Sequence, residues 1–216
     1  MTAHATDYTW IDSTEYAPII EAYCLTMVEG ISAGELLRRF GAVPGRPVTG
    51  GLEVLRAWES YEDGDLDEDE ALRGREDEDL MVVAVTELDG WAVAVEVNGY
   101  LGITWELLPG LADGTRLVAH QRNVNAADHF HWWEGERNRL NFEPLFPTQR
   151  DGTDAQAPEL AALLAQAGFD LRGEDERDIA LTTEAAFALG EALTGLRLTP
   201  ERLREAEFTL GYAPRP

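Results

Sequence analysis

The chain has 216 residues, with 41 acidic against 17 basic side chains and a formal net charge of −24. Every basic residue is an arginine, which excludes a P-loop lysine, a Schiff-base lysine and a lysine general base. There is no basic stripe for nucleic acid or an anionic membrane, and the single cysteine, Cys24, excludes an intrachain disulfide or a Cys-rich zinc site.

Met1 to Thr9 is polar with no apolar signal core, and no run approaches the roughly 20 apolar residues of a membrane span, so a cytoplasmic protein is expected. Residues 15–29 place Ile19, Ile20, Tyr23, Cys24, Met27 and Val28 at helical spacing ahead of Gly30, which predicts a helix. Ser32, with Glu35 three residues on, is a capping box for a second helix carrying Leu36, Leu37 and Phe40. Val43 to Gly51, rich in Pro and Gly, reads as a loop, and a third short helix is expected from Leu52 to about Trp58. Glu59 to Asp79 then holds 12 acidic residues and two arginines; a run this self-repelling predicts a mobile segment.

Beyond it the period changes to two. Leu80–Thr86 and Trp91–Val97 read as a hairpin turning at Asp89-Gly90, and Trp91 and Trp105 as core. Thr104–Leu111 suggests one or two helical turns. Leu117–Gln121, His129–Glu134 and Arg139–Phe142 read as three further strands. Helices return with Pro158 at a first turn, Thr183 as a cap ahead of Phe187 and Leu189, and Thr199-Pro200. The expectation is one α+β domain over 1–216. It has N-terminal helices (15–58), an acidic flexible segment (59–79), an antiparallel sheet of about five strands (80–143) and C-terminal helices (157–207), with helices covering one face.

Four constellations carry possible chemistry. Asp63, Asp65, Asp67 and Asp69 alternate like calcium-loop oxygens. Counting an EF-hand from Asp63 puts Glu68 at the glycine position and Gly74 at the twelfth, and counting from Asp65 puts Glu70 at the glycine. The run is therefore a solvated arm or a patch for a basic partner. His129 and His131 share a strand face, and His120 on the preceding strand would complete a three-histidine zinc site only under one register. With the hairpin centred on Asn125, His120 lies opposite Phe130 and away from the other pair. Asn123 and Asn125 are turn-formers or, with Asp128, pocket groups. Adjacent Trp132 and Trp133 point to opposite faces, one to the core and the other outward as an interface anchor or under a helix.

Ala22–Gly30, Trp91–Gly99, Asn123–Ala126 and Leu193–Pro200 together resemble an uncharacterised actinobacterial family, a domain of unknown function widespread in streptomycetes. The resemblance runs from about Tyr8 to Leu203, leaves out the acidic segment, and implies a cytoplasmic actinobacterial origin with no activity to carry across. The residues themselves favour a non-catalytic acidic binding protein, immunity-like or regulatory, with a basic protein partner and neither cofactor nor nucleic acid. Its candidate contacts are Trp132, Trp133, Asp63, Asp65, Asp67, Asp69, Asn123 and Asn125. The alternative is a small hydrolase or metal-assisted enzyme centred on His129, His131 and Asp128.

Overall fold

The computed structural model describes residues 3–13, 15–64, 69–75 and 79–216. A 3₁₀ segment, Ala5–Asp12, leads to α1 (Ala17–Ile20), β1 (Tyr23–Glu29), α2 (Ala33–Arg39), β2 (Val43–Thr49) and α3 (Gly51–Glu62). Next come β3 (Leu80–Leu88), β4 (Trp91–Val97), α4 (Leu108–Leu111), β5 (Arg116–Arg122), β6 (Asp128–Glu134), β7 (Arg137–Phe142) and β8 (Arg150–Asp151). The chain closes with α5 (Pro158–Ala167), α6 (Thr182–Thr194), α7 (Pro200–Glu205) and β9 (Glu207–Pro214). The strands form one antiparallel sheet of nine, ordered β2-β9-β3-β4-β1-β5-β6-β7-β8, where about five were expected.

The extra strands are those whose sequence hides them. The expected helix over 15–29 is one helical turn followed by β1, the central strand, in which Tyr23 to Val28 are all buried. A strand covered on both faces shows a continuous apolar run, which periodicity cannot tell from a buried helix. The expected loop Val43–Gly51 is mostly β2, an edge strand paired to β9 with a bulge between Pro44 and Pro47. An edge is where proline costs no ladder bond. β9, which begins where the expected C-terminal helices end and for which no strand was expected, inserts between β2 and β3. Its Gly211 is required by packing, since a Cβ there would stand 2.4 Å from Leu37 of α2.

Helices cover both faces, a correction to the one-sided expectation. On the first face, α1, α3, α5, α6 and the 3₁₀ segment pack Ile11, Ile19, Val54, Leu164 and Phe187 onto Leu25, Met27, Val118 and Phe130. On the second, α2, α4 and a 3₁₀ turn at Leu101–Ile103 pack Leu36, Leu37, Leu101 and Leu108 onto Val28, Ala92, Leu117 and Trp133. Ser32 caps α2 as expected, accepting the Glu35 N–H at 3.2 Å. Thr199 caps α7 in the same way, accepting from Arg202. α6 begins one residue before Thr183, and the Thr183 hydroxyl is used elsewhere.

The acidic segment is not uniformly a free arm. α3 extends through Glu62, past the expected end at Trp58. Asp69 is buried: it accepts the Arg46 N–H at 2.7 Å, the Ala71 N–H at 3.0 Å and the Tyr212 hydroxyl at 3.0 Å. It thereby staples β2 and β9 together, and Gly45 is open to it because a Cβ there would lie 2.3 Å from its carboxylate. A carboxylate accepting main-chain N–H bonds can be buried where an unpaired one could not.

Candidate recognition site on the second face of the sheet

The β5–β6 hairpin decides which side chains meet. Asn123 Oδ1 accepts the N–H of Asn125 at 2.9 Å and of Ala127 at 3.1 Å, and Ala126 takes a left-handed φ of 55°. Asn123 is thus a turn-former, while Asn125 is exposed at the tip. This turn fixes Arg122 opposite Asp128 and His120 opposite Phe130. Side chains alternate along a strand, so His120 and Asp128 project from the first face and His129 and His131 from the second. The three histidines are not brought together, and among the described residues no cluster of three metal-binding side chains occurs.

On the first face His120 is scaffolding. Its Nδ1 is hydrogen-bonded to the Tyr23 hydroxyl at 2.8 Å, and its ring stacks on Phe130 and meets Phe187 edge-on. Burial pushes its pKa down to about 3, so the ring is neutral. Arg122 donates to the Thr183 hydroxyl at 2.9 Å. Burial pushes Asp128 up to about 6, with Arg122 opposing. Trp132 also belongs to this face, packed on the core with the Arg139 guanidinium 4.8 Å above its ring. Arg139 occupies a bulge of β7 and is ion-paired to both Glu134 and Asp154. Trp132 is therefore covered, and the expected outward member of the tryptophan pair does not exist as such, since Trp133 is buried in the second core.

The exposed aromatic is Trp105, expected in the core and found 50% exposed. It stands edge-on to His131 at 5.9 Å and to Trp133 at 5.4 Å between ring centres. Its loop is held by Glu96, fully buried in β4, whose carboxylate accepts the N–H groups of Leu101 at 2.8 Å and Gly102 at 3.0 Å. Gly102 lies so close to Cys24 and Thr26 of β1 that a Cβ would overlap the Thr26 hydroxyl at 1.7 Å. Burial lifts Glu96 to about 7, against the two backbone donors, and drives the Cys24 thiol well up, making it an inert filler.

Beside Trp105 the second face turns polar. Gln121 lies opposite His129, Asn141 opposite His131, and Asn138 opposite Trp133. Asn138 donates to Asn141 Oδ1 at 2.7 Å. Gln121 Oε1, His131 Nδ1, Trp133 Nε1 and Asn138 Oδ1 are buried with no hydrogen-bond partner among the described residues. Each such atom costs about 1–3 kcal/mol, so this row does not stabilise the fold. Of these four residues His131 also lines a cleft of about 410 Å³, together with His129, Asn141, Glu143, Arg150 and Asp151.

Of the sequence-predicted contacts, the structure therefore brings His129 and His131 to a cleft and leaves the others apart. Trp132 and Trp133 are packed, Asp69 is structural, Asp63 is exposed at the end of α3, and Asp65 and Asp67 lie outside the described residues. Trp105 was legible only as a tryptophan flanked by Thr104 and Glu106, polar neighbours that a core aromatic in a short apolar run does not need.

The profile of a family of unknown function, DUF6461, matches residues 1–216, and the chain belongs to that family. The match includes the acidic segment. No curated protein and no solved structure matches the chain. No helix among the described residues is long and apolar enough to cross a membrane.

Proposed function

We propose that this member of a family of unknown function is a non-catalytic binding protein for a basic protein partner, with Trp105 as its anchor. The observation that carries the reading is the half-exposed Trp105 ring, on a loop anchored by the buried Glu96 carboxylate and propped on Trp133 and on His131, which also lines a cleft with Glu143 and Asp151. Large aromatics held rigid at a surface lose little entropy on contact and dominate interface energetics. A net charge of −24 attracts cationic surfaces over roughly one Debye length, about 8 Å at physiological salt, and repels nucleic acid. A hydrolase or metal-assisted enzyme centred on His129, His131 and Asp128 has less support, because Asp128 projects from the opposite face of β6.

The test is capture of basic proteins from the native host on immobilised chain, with wild type and Trp105→Ala compared. Association should slow as salt rises, and the variant should dissociate at least tenfold faster, roughly the 1.4 kcal/mol of a modest hot spot. Capture of nucleic acid in place of protein, or an unchanged dissociation rate for Trp105→Ala, would overturn the reading.

A further inference from the structure

Resting on that reading, we propose that the cleft lined by His131, Glu143 and Asp151, next to the His131 ring that props Trp105, takes the guanidinium of an arginine side chain from the basic partner. The groups around it are acceptors in want of donors. Glu143 and Asp151 line it, and neither is ion-paired to any of the described residues, whereas the nearby Glu134 and Asp154 both hold Arg139. Among the described residues the only hydrogen bond to the Asp151 carboxylate is from the N–H of its neighbour Gly152. His131 is 6% exposed and lines the cleft with its Nδ1 unpartnered among the described residues. Burial, with His129 beside it, holds its pKa at about 4, so the ring is neutral at pH 7 and offers an acceptor nitrogen. Gln121 Oε1, Asn138 Oδ1 and Trp133 Nε1, also unpartnered among the described residues, lie buried on the same face of the sheet and do not line the cleft.

The chain's own arginine does not fill this place. Arg150 turns its guanidinium to the carbonyls of Pro147 at 2.5 Å and Ala155 at 3.0 Å. Two free carboxylates disfavour an anionic occupant. Between the two cationic side chains, the choice falls on arginine, because the guanidinium is planar, weakly hydrated and carries five donors that match two carboxylates and a ring nitrogen. The lysine ammonium is a compact, strongly hydrated point charge.

The probes are N-acetyl-arginine amide and N-acetyl-lysine amide, titrated at constant ionic strength against full-length protein while the indole N–H resonances of Trp105 and Trp133 are followed by NMR. The expected result is saturable movement of both resonances with the arginine probe, at least about twofold tighter than with lysine. That movement should be lost in Glu143→Gln/Asp151→Asn, whose melting temperature is checked to show that it is folded. Equal affinity for the two probes, shifts that never saturate, or saturation retained in the double variant would overturn the inference. If the probe fails while Trp105→Ala still speeds release of a basic partner, the arginine assignment falls and the binding reading stands. If the probe saturates and the chain retains no basic protein, the guanidinium site stands and the partner reading falls.

Discussion

His120 and His131 stand on neighbouring strands, both more than nine-tenths buried and both neutral at pH 7, yet they serve opposite ends. His120 is enclosed by Tyr23, Phe130 and Phe187 under α6, and its polar edge is bonded. His131 is enclosed on one side by Trp133 and on the other by a ring that is itself half in solvent. The first face also holds unpartnered atoms, at His120 Nε2, Arg122 Nε and Asp128 Oδ1. There, however, His120 and Arg122 are tied through a second polar atom to Tyr23 and Thr183. On the second face one of the unpartnered groups, His131, lines an open cleft. Burial alone therefore does not mark a functional polar group; what lies beyond it does.

The largest expected effect tests that contrast directly. His120→Ala removes a stacked ring and leaves the Tyr23 hydroxyl without its partner, so it should cost about 3–4 kcal/mol. For a chain this long that lowers the melting midpoint by about 6–16 °C, whereas Trp105→Ala should cost no more than about 1 kcal/mol. Thermal unfolding of the two variants side by side would break the comparison if their costs were equal.

A smaller effect contrasts two aspartates within the acidic segment. Asp69→Ala leaves the Arg46 and Ala71 N–H groups and the Tyr212 hydroxyl without that acceptor, at about 2–3 kcal/mol. Asp63→Ala, at an exposed helix end, should stay within about 0.5 kcal/mol. Equal melting temperatures would return the whole segment to the status of a solvated arm.

These contrasts also show what the residues disclose unaided. The register that parts His120 from His129 and His131 was legible because Asn123 and its neighbours specify a short hairpin, and the register of such a hairpin follows from its turn. The capping box at Ser32 was legible because its bonds are local. β1 was not, since burial on both faces erased its period of two. Asp69 was hidden because its worth depends on Tyr212, 143 positions away, and a carboxylate among eleven others gives no local sign of that. Trp105 and Glu96 were missed together. Glu96 falls in the expected strand Trp91–Val97, where nothing local sets it apart, and it is the buried peg on which the Trp105 loop hangs.

That peg supplies the smallest and most specific expectation. The Glu96 pKa is raised by burial to about 7 in the folded chain, against about 4.3 for an unperturbed glutamate. The native state therefore holds the proton more tightly than the unfolded one. Its contribution to stability is fully present below the unfolded value and is lost as pH rises toward the folded value. Each pH unit inside that window is worth about 1.4 kcal/mol, so wild type should lose about 2 kcal/mol between roughly pH 5.5 and 7 on account of this group. Asp128 and Glu184, also raised by burial, tilt the curve in the same direction, while His120 and His131, lowered by burial, tilt it the other way, so the slope of wild type alone proves nothing about Glu96. Glu96→Gln isolates it: the amide keeps an acceptor for the loop N–H groups and cannot ionise. Its stability relative to wild type should rise by about 2 kcal/mol over the same interval, and the Trp105 fluorescence should lose whatever pH dependence wild type shows there. Parallel stability curves for the two proteins would mean that Glu96 titrates alike in the folded and unfolded chain, and that burial does not hold its proton.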